Sequence, residues 1–216
     1  MKPIFLLDTQ TPIQSKDTIG GKGAAIQSLA MGGFTVPHTA CIPSNVYRQF
    51  VESNGLGEKI LLEINRKNLS ENRWEEIWDT SLRIRSFFLA ESLPKNIEKS
   101  IIDFVATHFP DKPLVIRSSA PDEDHKNASF AGLHESYVNI RGGIDVVEHV
   151  KKVWASLWSD RALLYRQEMG LQVEKSTMAV IVQELIAGTS SGIAFSQNPT
   201  DNSQIIIESV HGLNQG

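Results

Sequence analysis

A single cysteine, Cys41, stands in a chain of 216 residues. This excludes an internal disulfide and any metal site built from several thiolates. No apolar run approaches the length that crosses a bilayer. The apolar stretch between Pro3 and Leu7 is too short for a secretory leader. Positive charge is not in excess, with 21 Lys and Arg against 25 Asp and Glu and a net charge of −4. A general nucleic-acid binder carries a basic footprint, so none is expected here. The six histidines, His38, His108, His125, His134, His149 and His211, are scattered without metal-ligand spacing. No repeat and no low-complexity tract is present. These absences point to a cytoplasmic domain with no membrane and no nucleic acid among its partners. Any anion it binds must be met by local donors.

What is present is ordinary for a globular protein, with 41% hydrophobic and 21% charged residues. A strand is expected near residues 3–7, and a polar loop from Thr9 to Thr18. A helix is expected over Gly23–Met31, where Ala24, Ile26, Leu29 and Ala30 recur at helical spacing. Thr39–Ile42 reads as a short buried strand holding Cys41. Ser44 is placed to cap a helix with Val46, Phe50 and Val51 inside. The stretch 58–108 reads as helical, with Ser70 and Pro94 at helix starts and Trp74 and Trp78 as core packing. After Pro110 the texture turns to strands at Leu114–Ile116, Tyr137–Ile140, Met178–Ile186, Ile193–Ser196 and Ile205–Val210, the last three as an antiparallel meander. Two helices intervene, Val146–Trp158 and Arg161–Met169. A helix-rich part (1–110) followed by a strand-rich part (111–216) indicates an α+β fold. The glycine-rich end, Gly212-Leu213-Asn214-Gln215-Gly216, leads to the expectation that the chain is part of a longer protein.

Several motifs can carry chemistry. In Gly20-Gly21-Lys22-Gly23, read as a loop ahead of a helix, glycines let backbone N–H groups approach a phosphate, with Lys22 as a neighbouring cation. The spacing is not that of a P-loop, and on this motif alone a solvated lysine in a plain helix-entry loop is the favoured reading. Arg117-Ser118-Ser119 follows a strand. Its guanidinium can hold phosphate oxygens in a fork, with two hydroxyl donors beside it, or pair with Asp122, Glu123 or Asp124. Ser129-Phe130-Ala131-Gly132 through Ser136 reads as a flap over a nucleotide or as a tight turn, with His134 as a structural histidine. Gln183, near the end of an apolar strand, can read an adenine edge or face water. Trp154, Trp158 and Ser159 read as helix packing and a cap.

The order of these motifs is more specific than any one of them. Gly20-Gly21-Lys22-Gly23-Ala24, Gly33-Phe34-Thr35-Val36-Pro37, Val115-Ile116-Arg117-Ser118-Ser119-Ala120, Glu123-Asp124, Ala128-Ser129-Phe130-Ala131-Gly132, Trp154-Ala155-Ser156-Leu157-Trp158 with Asp160-Arg161, and Met178-Ala179-Val180-Ile181-Val182-Gln183 follow one another. Together they resemble the N-terminal nucleotide-binding domain shared by phosphoenolpyruvate synthase, pyruvate phosphate dikinase and rifampin phosphotransferase, from about residue 18 onward. The resemblance implies an ATP-grasp fold. It implies Lys22 and Arg117 as phosphate contacts, Gly132 and Ser136 in the loop over the nucleotide, and Gln183 near the adenine. Ser136 stands where many relatives have threonine, and Gly212-Leu213-Asn214-Gln215 where many have Gly-Leu-Gly-Glu.

The same resemblance implies ATP and Mg²⁺ as cofactors, with the metal ligands beyond residue 216. It further implies transfer of the β-phosphate to a histidine on a separate domain. From there the phosphate passes to pyruvate on a further domain or, in the antibiotic-inactivating branch, to rifampin. AMP and phosphate are the products of the nucleotide half. The alternative from another class is a non-catalytic nucleotide-binding or interaction module. In either case residues 1–216 alone are not expected to complete phosphotransfer.

Overall fold

A computed structural model of the chain describes residues 2–66, 73–121, 124–125, 128–129, 135–169, 176–198, 201 and 203–212, with 124–125 and 128–129 described by backbone alone. The chain divides into two compact units, Met1–Glu184 and Leu185–Gly216. The larger unit is built on strands β1 (Phe5–Leu6), β2 (Thr39–Ile42) and β3 (Leu114–Ser119). Short strands β4 (Asp124–His125) and β5 (Ala128–Ser129) pair with each other, and β6 (Ser136–Ile140) and β7 (Ala179–Glu184) complete the set. Five of them form one antiparallel sheet in the order β1-β2-β7-β3-β6. The helices are α1 (Lys16–Met31), α2 (Ser44–Ser53), α3 (Leu56–Ile64), α4 (Trp74–Ala90), α5 (Lys95–His108), α6 (Gly143–Ser156) and α7 (Asp160–Glu168).

The sheet has two unequal faces. Alternation along the strands sends Ala40, Ile42, Leu114, Ile116, Val180 and Val182 into the main core. There they meet Val46 and Phe50 of α2, Ile84 and Phe88 of α4, Ile101 of α5, and Val150 and Trp154 of α6. The opposite face holds a smaller cluster in which Leu7, Cys41, Ala179 and Ile181 pack against Ile19, Ala24 and Ile26 of α1. Because β7 has cover on both sides, its residues Ala179 to Gln183 are all buried. This is the near-continuous apolar run of a central strand. Burial likewise pushes the Cys41 thiol far above its usual range, leaving a neutral core residue.

Aromatic contacts organise the main core. Tyr47 meets Trp154 edge-on at 5.8 Å between ring centroids, and Phe50 lies 5.2 Å from the same indole. Phe88 stacks on Tyr47 and on Trp158, and the Trp158 indole N–H donates to the Tyr47 hydroxyl at 3.1 Å. Trp154 and Trp158 are thus core residues, as the sequence indicates. Ser159 caps α7 by accepting from the N–H of Ala162 at 3.2 Å. Buried Lys151 of α6 points its ammonium at the Leu89 and Glu91 carbonyls, at the end of α4, and pairs with Glu148. A cation there offsets the negative end of the helix.

Several expectations are corrected. Trp74 and Trp78 are 59% and 45% exposed. The inward stripe of α4 is Ile77, Ser81, Ile84 and Phe88, which turns both indoles outward. Ser44 does not cap α2, since its hydroxyl donates to the Asp17 carbonyl at 2.6 Å. Helix α1 starts at Lys16, within what reads as a loop. The expected meander does not form, because both edges of β7 are taken by β2 and β3. The strands that follow it, β8 (Ser190–Phe195) and β9 (Ile206–His211), form a hairpin in the smaller unit. Gly192 permits their close approach, as a Cβ there would lie 2.4 Å from the Glu208 carbonyl oxygen. The expected cap Ser70 lies outside the described residues. Among those described, no helix is long and apolar enough to cross a membrane.

The aromatic core gives a direct test. Phe88→Ala removes a fully buried ring from the junction of α2, α4 and α6, and is expected to cost about 3–5 kcal/mol. Urea unfolding of the variant measures this, and a cost near zero would contradict the packing described.

Candidate functional site

The candidate residues lie on the smaller face of the sheet, part of which is covered by α1. Helix α1 is held there by the end of β3. Gly20 breaks the helix with φ +72° and ψ 175°. A Cβ at that position would sit 2.1 Å from the Ser119 carbonyl oxygen. Only glycine combines that backbone angle with so close an approach. The Ser119 hydroxyl then spans the break. It donates to the Ile19 carbonyl at 2.7 Å and accepts from the Gly23 N–H at 3.0 Å. The Gly21 N–H donates to the Ala120 carbonyl at 3.1 Å.

This corrects two expectations about backbone and hydroxyl donors. Glycines 20–23 lie inside a kinked helix, and the N–H groups of Gly21 and Gly23 are bonded to β3 and its following residue. Their role is to let a helix sit against a strand end. Ser119 spends its one proton on Ile19, so it is not a free donor for phosphate. Lys22, half-buried, lies between the two anchored glycines. Its position in the fold therefore follows the Ser119 contacts.

Arg117 stands two residues before Ser119 on the same face of β3. Its neighbours across the sheet are Ile181 of β7 and Ser136 of β6. Directly opposite residues on adjacent strands hold their Cβ atoms about 5 Å apart, so Arg117 and exposed Ser136 share one patch. An irregularity in the β3–β6 ladder between Leu114 and Ile116 goes with an extra residue on β6, where Asn139 adopts φ +59°. Gln183, on β7, lies diagonally from Arg117. Its side-chain carbonyl accepts from Arg117 Nη1 at 3.4 Å, and its amide N–H donates to Thr39 Oγ1 at 2.9 Å. Thr39 lies directly opposite Gln183 across the β2–β7 ladder.

The structure thus joins Arg117, Gln183 and Ser136 on one face, with α1 and Lys22 secured at the neighbouring strand end. Gln183 neither faces water nor has a wholly free amide. Bonds to Thr39 and Arg117 leave it one N–H and one carbonyl lone pair for another partner. Gly132, and the acidic partners Asp122 and Glu123 considered for Arg117, lie outside the described residues, as do His134 and the side chain of Asp124. Thr39 is the residue missed. A threonine in a short apolar strand gives no signal until the register sets it beside Gln183. Among the described residues no group of three His, Cys, Asp or Glu side chains gathers as a metal site.

An antiparallel sheet with helices on one face, and on the other a helix beside the polar side chains of Arg117, Gln183 and Ser136, is an α+β arrangement of ATP-grasp kind. The chain belongs to the pyruvate phosphate dikinase AMP/ATP-binding domain family, whose model matches residues 16–216. It is 36% identical over 206 residues to a phosphoenolpyruvate synthase of Aeropyrum pernix, covering 91% of this chain and 25% of that protein. It is 32% identical over 216 residues to a rifampicin phosphotransferase of Bacillus cereus, covering 98% of this chain and 24% of that protein. A probable phosphoenolpyruvate synthase of Methanocaldococcus jannaschii is 31% identical over 223 residues, covering 100% of this chain and 18% of that protein. The chain therefore spans a quarter or less of the length of these relatives.

The seat of α1 is testable by itself. Ser119→Ala leaves the Ile19 carbonyl and the Gly23 N–H without their partner, and is expected to destabilise by about 1–3 kcal/mol. Gly20→Ala should cost more, since it adds both a strained φ and a clash with β3. Denaturant unfolding reads both, and a Gly20→Ala protein as stable as the parent would contradict the kinked seat.

Proposed function

We propose that this chain supplies the ATP site of a phosphotransferase of phosphoenolpyruvate synthase type. In that reaction ATP, pyruvate and water give phosphoenolpyruvate, AMP and phosphate through a phosphohistidine on another domain. The observation that carries the reading is the placement of Arg117 beside Gln183 and exposed Ser136 on the smaller face of the sheet, within a chain of an AMP/ATP-binding family. A guanidinium at that point offers a planar fork to phosphate oxygens. Lys22 adds a compact cation from α1, and Ser136 a hydroxyl from β6. Gln183 keeps one N–H for the nucleotide, and Gly132, outside the described residues, is assigned to the nucleotide by the family resemblance alone. In-line phosphoryl transfer depends mostly on positioning and charge stabilisation, which is what such donors supply.

Mg²⁺ would shield the triphosphate charge when bound, held by ligands beyond residue 216. The acceptor is set elsewhere in the whole protein. A rifampin-directed enzyme shares this nucleotide half, and the similarity to the Bacillus cereus rifampicin phosphotransferase supports keeping that branch as the second reading. Both reactions fit a cytoplasmic setting.

The test uses the full-length protein. Arg117→Ala is expected to lower AMP formation from ATP by about 10²–10³-fold, with the folded state unchanged by circular dichroism. Lys22→Ala should act in the same direction. Turnover near that of the parent in the Arg117→Ala variant would refute the assigned site. Comparing pyruvate with rifampin as acceptor separates the two branches.

A further inference from the structure

We infer that Thr39 is a positioning residue for Arg117, acting through the amide of Gln183. The inference rests on the nucleotide reading above and assigns a role to a residue that the reading does not use. Its basis is the direction of three hydrogen bonds. The Thr39 hydroxyl donates its only proton to the Pro37 carbonyl at 2.6 Å. Its oxygen can therefore only accept, and the group that donates to it is the Gln183 amide nitrogen at 2.9 Å. That fixes which end of the Gln183 amide faces which neighbour. The nitrogen faces Thr39, so the oxygen faces Arg117, whose Nη1 lies 3.4 Å away.

An amide side chain is nearly symmetric in shape, and its two orientations differ only in what they present. Turned the other way, Gln183 would aim an N–H at a guanidinium, a donor against a donor. Both Thr39 and Gln183 are buried, so water is poorly placed to correct the error. The Thr39 hydroxyl acts as the orienting element. It gives Arg117 a carbonyl oxygen to lean on without placing a negative charge beside the guanidinium. A carboxylate in the place of Gln183 would also hold the arginine, but would compete with phosphate for its charge. A neutral acceptor holds the group and keeps it available.

The experiment is a double-mutant cycle on ATP affinity in the full-length protein, read by calorimetric titration, with thermal melting as a check on folding. Thr39→Val keeps the shape and removes the hydroxyl. It is expected to raise the Kd for ATP on the order of tenfold, the scale of one hydrogen bond to a charged group. Thr39→Ser, which keeps the hydroxyl, should restore affinity to near that of the parent. In an Arg117→Ala background, Thr39→Val should add little, because a residue that works through Arg117 has nothing left to position. Should Thr39→Val fail to fold, Thr39→Ala removes the same hydroxyl with less bulk and carries the same expectations. If Arg117→Ala binds ATP like the parent, the nucleotide reading and this inference fall together. If Arg117→Ala is impaired while the Thr39 variants bind normally, or their losses simply add to that of Arg117→Ala, only the role given to Thr39 is overturned.

Discussion

The structure depends on the burial of β7 from both sides and its pairing along both edges. A strand in that position has no surface to spare, so every polar group on it must find a partner within the protein. Ala179 to Val182 meet the condition by being apolar. Gln183 meets it by reaching Thr39 on one neighbouring strand and Arg117 on the other. The polar patch on the smaller face of the sheet is thus continuous with the core. It begins at the point where the apolar run of the central strand stops.

The second fixed point is the contact of α1 with the end of β3. A helix running along a sheet normally keeps its backbone away from the strands, with side chains filling the gap. Here a glycine brings backbone against backbone, and a serine hydroxyl satisfies both sides of the break. Arg117 and Ser119 are alternate residues of one strand. The strand that presents the guanidinium therefore also seats the helix that carries Lys22. Neither cation sits on a loop, since Lys22 belongs to α1 and Arg117 to β3.

Much of this was legible before any coordinates. The helical spacing of Ile97, Ile101 and Val105, the start at Pro94 and the buried strand around Cys41 all follow from local pattern. So does the strand that carries Arg117, because the apolar run Leu114-Val115-Ile116 ahead of it is a local signal. What escaped was whatever depends on residues far apart in sequence. The partners of Gly21 and Gly23 are residues 119 and 120, and those glycines looked like a phosphate loop because local reading cannot show that their N–H groups are already taken. The indoles of Trp74 and Trp78 share helical spacing with the outer Leu82, and periodicity alone does not say which of two apolar stripes faces in. The meander failed for a related reason. Short turns favour neighbours in sequence, and they lose to a pairing that buries β7 between β2 and β3.

The strand order also bears on how the protein is made. β2 is complete early in synthesis, yet one of its two edges waits for β7, which emerges only after the seven described helices. β3 waits for the same strand. The ribosome must therefore deliver most of the chain before the sheet can close, and until then two strand edges rich in apolar residues stay unpaired. Contacts this distant in sequence slow folding and lengthen the interval in which exposed edges can find the wrong partner. The central strand that gives the finished domain its order is thus also the piece whose late arrival leaves the nascent chain most dependent on protection.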